Sequence, residues 1–339
     1  MKEASTTEYL YYHARDQQKG NAELKALYFN EFGDSSVLKY GDVPTPTITK
    51  DELLVKTSDI GLNFADIYRR RGTYHLEKHT PYINGYEAAG TIEKVGGTDS
   101  SWHIGEAILF VDVPLANAEY VAIPKENAIR LPQGISLKLA ATIGLQGLTA
   151  DFLAHDLAKN KPGDKAFIHG ISGGVGQILS QILTADGVQV YGSTSTQDKQ
   201  RIALNEGAKD VFIRHPHWDD KLASKFTTVF DGVGRTLPLS LKLASRRGKV
   251  VFFGMAGGNP PKIDLLEVMG KSQTIATGDL WDYLTSFDER KKRSQRLFDY
   301  FLNGKIHLSS PTTFKLAEGR QAHELLESGK SSGKILLVP

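Results

Sequence analysis

The residues in this chain best placed to do chemistry are His169-Gly170-Ile171-Ser172-Gly173-Gly174-Val175-Gly176. They follow the apolar run Ala166-Phe167-Ile168 and open a segment whose apolar residues recur with helical spacing. A strand that turns on glycines into a helix is suited to hold a phosphate. The side-chain-free turn lets backbone N–H groups approach the oxygens, and the helix N-terminus adds about half a positive charge. Glycines at 170, 173 and 176 form a GxxGxxG variant of the dinucleotide fingerprint. A glycine turn can equally serve tight packing alone, so the surrounding sequence has to decide.

Downstream, Val175, Ile178, Leu179, Ile182 and Leu183 share one helical face. A second strand follows at Val188–Gly192 and runs into Ser193-Thr194-Ser195-Thr196. An NAD-binding unit would place an acid near this strand end to bond the ribose 2′-hydroxyl. Small hydroxyl residues stand there instead, and Asp198 is the first acid after them. Lys199 comes next, and Arg214 ends the following strand. Hydroxyls and two cations suit a 2′-phosphate, which an acid would repel, so the expected cofactor is NADPH rather than NADH. The plainer alternative is that Lys199 solvates a helix start and Arg214 a loop.

These residues need elements to hold them. The 339 residues suffice for roughly two domains. With 40% hydrophobic and 24% charged residues the composition is that of a globular protein with a full core. A net charge of +2 gives no general reason to expect nucleic acid or an acidic membrane. The absence of cysteine excludes disulfides and thiolate metal sites. No apolar run reaches the roughly 18 residues of a membrane span. The N-terminal extension, residues 1–22, mixes Glu3, Glu8 and Asp16 with Lys2, Arg15 and Lys19 and fits neither a secretory nor a mitochondrial signal. A cytoplasmic location is expected.

From Leu24 to Pro132 the pattern predicts short strands at 24–29, 52–60, 90–95, 107–111 and 120–123, a mostly antiparallel unit. Beyond Leu145 strands alternate with helices. Strands are expected at 165–169, 188–192, 210–214, 227–231, 249–254 and 273–277, with helices at 173–186, 198–206, 218–226 and 236–245. That alternation predicts an α/β fold with a doubly wound parallel sheet. After Asp282 come a helix carrying Leu297, Phe298, Phe301 and Leu302 on one face, a second helix at 320–328, and a closing strand at 334–338.

Five segments carry a family resemblance: Gly61-Leu-Asn-Phe-Ala-Asp-Ile-Tyr68, Gly85-Tyr-Glu-Ala-Ala-Gly90, Gln146-Gly-Leu-Thr149, Gly173-Gly-Val-Gly176 and Ala322-His-Glu-Leu-Leu-Glu-Ser328. In this order they resemble the zeta-crystallin-like quinone oxidoreductases of the medium-chain dehydrogenase/reductase superfamily. The resemblance implies a GroES-like β-rich catalytic domain (23–144 and 283–339), a Rossmann NADPH-binding domain (145–282) and NADPH in the cleft between them. It also implies a homodimer formed through Lys249–Gly254, expected to be an edge strand. Zinc alcohol dehydrogenases share the superfamily and hold their metal with Cys, His and Cys. By motif, Asn63 and Tyr86 stand at two of those ligand positions, so the expected enzyme is metal-free. His75, His79, His215 and His217 complete no recognisable metal set.

The same resemblance puts Asn63, Tyr68, Gln146 and Thr149 near the nicotinamide. It gives Ser172, Gly173, Gly174, Val175 and Gly176 to the pyrophosphate and Lys199 to the 2′-phosphate; Arg214 stands where the family usually has a tyrosine, and it joins Ser193 and Thr194 as a cofactor-binding candidate by its own chemistry. Phe253, Gly254 and Met255 would flank the cofactor. Tyr68 and Asn63 are the catalytic candidates, Tyr68 as a polar contact to the substrate carbonyl. Tyr74, Asp279 and Trp281 are candidates to line the substrate pocket. Two positions depart from the family: Thr277-Gly278-Asp279 replaces an Arg-Pro-Ser loop, and Gly329 replaces a cofactor-contacting arginine. The implied reaction is NADPH-dependent quinone reduction. Reduction of an enal or enone double bond is the alternative. A reading of another class, an NADPH-binding structural or RNA-binding protein, would rest on the basic runs Arg69–Arg71 and Arg290–Arg296.

Overall fold

The structure is a computed structural model that describes residues 23–74, 81–98 and 100–339. The extension 1–22, His75 and His79 lie outside the described residues. The chain begins with β1 (Glu23–Phe29), β2 (Lys39–Pro44) and β3 (Glu52–Leu62), then helix α1 (Phe64–Arg70). Strands β4 (Tyr82–Ile83), β5 (Glu87–Val95), β6 (Ala107–Val111), β7 (Tyr120–Pro124) and β8 (Ala128–Arg130) follow, and then helix α2 (Leu137–Phe152). The next stretch alternates: β9 (Lys165–His169), α3 (Gly174–Ala185), β10 (Gln189–Thr194), α4 (Gln197–Asn205), β11 (Asp210–Ile213) and β12 (Phe226–Asp231). It continues through α5 (Leu237–Leu243), β13 (Ala244–Phe252), α6 (Leu265–Gly270) and β14 (Thr274–Thr277). The chain closes with α7 (Phe287–Leu302), β15 (Thr312–Lys315), α8 (Gly319–Glu327) and β16 (Ile335–Val338).

The residues group into two compact units. One takes the chain through Leu145, Ser286–Ser294 and Pro311–Pro339; the other takes Gln146–Thr285 and Gln295–Ser310. In the first, a three-stranded sheet ordered β2-β1-β4 accompanies a larger sheet ordered β15-β16-β3-β5-β6-β8, with β7 also on β3. Its strands pair antiparallel except β15 with β16. Leu53, Val55, Ile60, Ile108, Phe110 and Ile123 turn inward from these strands to build the core. Burying such aliphatic side chains stabilises the fold by roughly 1.5–3 kcal/mol each before entropy is counted.

The second unit has six parallel strands ordered β11-β10-β9-β12-β13-β14. The strand order reverses between β9 and β12, and ligands of such sheets bind at the carboxyl ends beside that reversal. Phe167, Phe226, Val229, Leu241 and Val250 form the core on one face. Ile178, Leu179, Ile182 and Leu183 of α3 are buried, as their spacing predicts.

Three expectations need correction. The segment 218–226 is not helical: it runs through turns into β12, with left-handed backbone at His217 (φ 66°) and Ser224 (φ 57°) that no α-helix accommodates. Strand 249–254 is not an edge, because β13 lies between β12 and β14, and the edge strand is Thr274–Thr277. The basic runs are not continuous surface patches. Arg69 and Arg70 are 0% exposed, and Arg290 and Arg293 are also buried. Arg290 donates to Val111 O at 3.0 Å and to Asp112 at 3.3 Å, and Arg293 to Glu289 at 3.2 Å.

Candidate functional site

In the second unit, β9 delivers the chain into the glycine turn. Gly170 adopts φ 67°, a left-handed conformation that favours glycine. A Cβ on Gly176 would come within 2.5 Å of Gly170 O and 2.7 Å of Ile171 O, so only glycine lets α3 start this close to the strand. Gly173 caps α3, and the first-turn N–H groups of Gly174, Val175 and Gly176 face out of the helix end. Gln146 lies against this end: a Cβ on Gly174 would overlap its side-chain oxygen. That oxygen is buried and has no hydrogen-bond partner among the described residues. Thr149 follows three residues later in α2 and so lies on the same helical face as Gln146. An open helix N-terminus with an orphaned polar atom beside it fits a dinucleotide pyrophosphate.

Around the rim, Ser172 and Thr194 share a hydrogen bond of 2.8 Å between their hydroxyls. The buried Ser193 hydroxyl lies 3.5 Å from His169 Nδ1. Burial pushes the His169 imidazole down to about 4, so it is neutral near pH 7, and its Nε2 has no partner among the described residues. Thr196 caps α4 by accepting from the Lys199 N–H. Asp198 turns away to pair with Arg201. Partial burial, and after it the positive charge of Arg214, push the Lys199 ammonium down. Arg214 follows β11, its N–H donating to Thr194 O at 2.9 Å. Lys199 in the first turn of α4 and Arg214 just after β11 are therefore near enough for the second charge to act on the first.

Phe253, Gly254 and Met255 follow β13. The Phe253 N–H donates to Asp231 O, and a Cβ on Gly232 would meet the Phe253 ring at 2.7 Å. Asp231 braces the neighbouring turn, accepting from Val233 N, Gly234 N, Thr236 Oγ1 and Ser240 Oγ at 2.6–3.0 Å. The Asp279 carboxylate accepts from the Trp281 N–H at 3.4 Å and so caps a short turn. Gly329 ends α8 with φ 66°, a left-handed cap that glycine fills most easily and arginine does not.

In the first unit, α1 carries Tyr68, whose ring meets Tyr74 edge-on at 6.1 Å and Phe64 at 6.1 Å. The sequence candidates Tyr68 and Tyr74 are thus brought together. Asn63 caps the start of α1, its N–H donating to Asp66 at 2.7 Å. Burial pushes the Asp66 carboxyl up to about 7, against the pull of that hydrogen bond. The Asn63 amide is engaged at both ends: Nδ2 donates to Glu87 at 2.8 Å and Gly61 O at 3.2 Å, and Oδ1 accepts from Lys334 at 2.9 Å. At the other end of α1, Arg70 grips α8. It pairs with Glu327 at 2.8 and 2.9 Å and donates to His323 Nδ1 at 3.0 Å. Burial, reinforced by Arg70, pushes His323 down to about 3, so its neutral nitrogen can accept that bond. The Tyr86 ring is buried beneath the Arg69 guanidinium, 5.4 Å from its centre.

Glu87 and Lys334 were not singled out by sequence reasoning. A carboxylate opening an apolar strand and a lysine beside the apolar closing strand were the available signals.

This pairing of a β-rich unit with a dinucleotide-type sheet defines a class of dehydrogenases. Residues 49–157 match the alcohol dehydrogenase GroES-like domain, and residues 174–287 match the zinc-binding dehydrogenase domain. Zinc itself does not fit. The chain has no cysteine, Asn63 is hydrogen-bonded as above, and among the described residues no three His, Asp or Glu side chains cluster to hold a metal. A probable quinone oxidoreductase of Schizosaccharomyces pombe is 32% identical over 315 residues, 90% of this chain and 94% of that protein. The quinone oxidoreductase structure from Pseudomonas syringae pv. tomato superposes with a TM-score of 0.89 at 29% identity, over 93% of this chain and all of the other. The Escherichia coli quinone oxidoreductase complexed with NADPH gives 0.87 at 30% identity, with the same coverage. The chain belongs to the quinone oxidoreductase family of medium-chain dehydrogenases/reductases.

Proposed function

We propose that this protein reduces quinones with NADPH, without a metal. The observation that carries the cofactor assignment is the glycine-lined helix start of α3, with the cations Lys199 and Arg214 following β10 and β11. A 2′-phosphate is an anion that such cations can hold, and NADPH carries one in addition to its pyrophosphate. Ser172 through Gly176 take the pyrophosphate, with the buried Ser193 and Thr194 shaping the floor. Gln146 and Thr149 lie toward the nicotinamide, and Phe253, Gly254 and Met255 flank the nucleotide. The bound nucleotide supplies the hydride; the protein orients it and excludes water.

Tyr68 contacts the acceptor oxygen through its hydroxyl as charge develops there. Asn63, already bonded at both ends, holds the start of α1. Tyr74, Asp279 and Trp281 line the acceptor's surroundings. We place the protein in the cytoplasm, consistent with a chain that has no cysteine to oxidise. It works as a homodimer joined through the β14 edge, whose unpaired backbone is suited to extending the sheet.

The test follows NADPH and NADH oxidation with bulky ortho-quinones, simple para-quinones and short enals. Quinone turnover with a preference for NADPH is expected. Faster turnover of enals than of any quinone reverses the choice of acceptor, and indifference between NADH and NADPH removes the assigned role of Lys199 and Arg214. A monomer in sedimentation removes the dimer.

A further inference from the structure

Beneath α1 lies a fully buried charged cluster. Glu87 is 0% exposed, and the Lys334 side chain 2%. The Lys334 ammonium bonds Glu87 Oε1 and also Asn63 Oδ1. Glu87 Oε1 accepts in addition from Asn63 Nδ2, while Oε2 accepts from the backbone N–H of Leu145 at 2.6 Å. The chain clears room for this carboxylate twice. A Cβ on Gly61 would overlap Glu87 Oε1, and a Cβ on Gly144 would come within 2.5 Å of Oε2.

Stability alone is a poor reason to keep such a pair, since apolar residues of similar volume usually do as well or better. What distinguishes it is what it touches. Through Asn63 it fixes the residue that starts α1, which carries Tyr68 five residues on. Through Leu145 it grips the backbone one residue before Gln146, on the helix that also carries Thr149. A single carboxylate thus binds both segments to which the catalytic and nicotinamide-facing roles are assigned.

We propose that Glu87 and Lys334 are positioning residues for hydride transfer, acting through Asn63 and the Leu145 N–H. Lys334 holds the buried carboxylate in place, and Glu87 passes that fixed geometry to the start of α1, which carries Tyr68, and to the Leu145 N–H beside Gln146. The proposal rests on the quinone reductase reading.

The experiment uses the full chain and its Lys334→Met variant. NADPH-binding sites are titrated by fluorescence, and kcat per binding site is measured with a bulky ortho-quinone. In the variant, kcat per site is expected to fall by about 10²-fold, the size of effect that misplacing reacting groups by an ångström produces. The NADPH dissociation constant stays near that of the parent. An unchanged kcat per site or a loss confined to NADPH affinity overturns the proposal. If Lys334→Met does not fold, Glu87→Gln is measured for kcat and NADPH affinity in the same way. A fall in kcat per site supports the proposal, and a parental value overturns it. A parent chain that binds NADPH and reduces no quinone refutes the underlying reading instead, before any variant is compared.

Discussion

Each of the two units gathers charge near the residues assigned to function, and they do so in opposite ways. In the first, Glu87 and Lys334 cancel each other and spend their hydrogen bonds on Asn63 and the backbone. In the second, Lys199 and Arg214 carry the same sign and repel. A neutral, buried, fully engaged cluster organises the chain around itself. A pair of like charges at the rim of a helix start costs free energy until an outside anion arrives. Burial and partnering therefore separate a group that positions from a group that binds, even when both are charged and both lie close to the site.

The sharpest way to break this comparison is to unbalance the neutral cluster. Lys334→Met leaves Glu87 buried without its cation, and a loss of about 3–5 kcal/mol of stability is expected. Calorimetry should show melting lowered by roughly ten degrees. Lys334→Met with Glu87→Gln should recover much of the loss.

Removing the like pair should do the reverse. Lys199→Ala and Arg214→Ala should together raise the KM for NADPH by about 100-fold, taking a charged hydrogen bond as worth about a tenfold change each. NADH kinetics should be unchanged, and melting without cofactor unchanged or slightly raised.

A smaller effect tests the cradle between those cations and the sheet. Gly176→Ala meets the Gly170 and Ile171 carbonyls and should cost about 1–3 kcal/mol together with NADPH affinity. Gly173→Ala, whose nearest contact would be Gly170 O at 3.2 Å, should be much milder in the same titration.

The smallest effect concerns a charge cluster to which no binding or catalytic role is assigned. His155 bonds Asp151 at 3.0 Å and Asp186 at 3.2 Å; Arg296 braces Asp151, and Tyr300 donates to Asp186 at 2.7 Å. Burial lowers the imidazole, but these carboxylates more than offset it and push it up to about 9. A raised folded-state value means that this stabilisation is complete below the unfolded value of about 6.5 and is lost as pH passes about 9. Urea midpoints should fall over that interval, and His155→Gln should flatten the fall.

Much of the fold was legible because its signals are local. The glycine turn, the apolar face of α3 and the six alternating strands each declare themselves within a dozen residues. Burial of charge is not local. Arg69-Arg70-Arg71 reads as a basic patch until α8 supplies Glu327 and His323 from the far end of the chain. Glu87 pairs across 247 residues of sequence, and no window of the chain contains both partners. Strand order is equally nonlocal: nothing within β13 or β14 says which is the edge, and only the sheet shows it. The segment 218–226 misled for a different reason, since its composition does not reveal the left-handed residues at 217 and 224.

Gly61 and Gly144 lie on different elements, yet each leaves out a methyl group at the same carboxylate. Any descendant chain that gains a side chain at either position must shorten residue 87 or unseat it, and the lysine near its C-terminus then loses its counterion. These four positions should therefore drift together or not at all. Sequences that keep both glycines with an acid at 87 and a lysine at 334 mark the chains in which this internal brace survives.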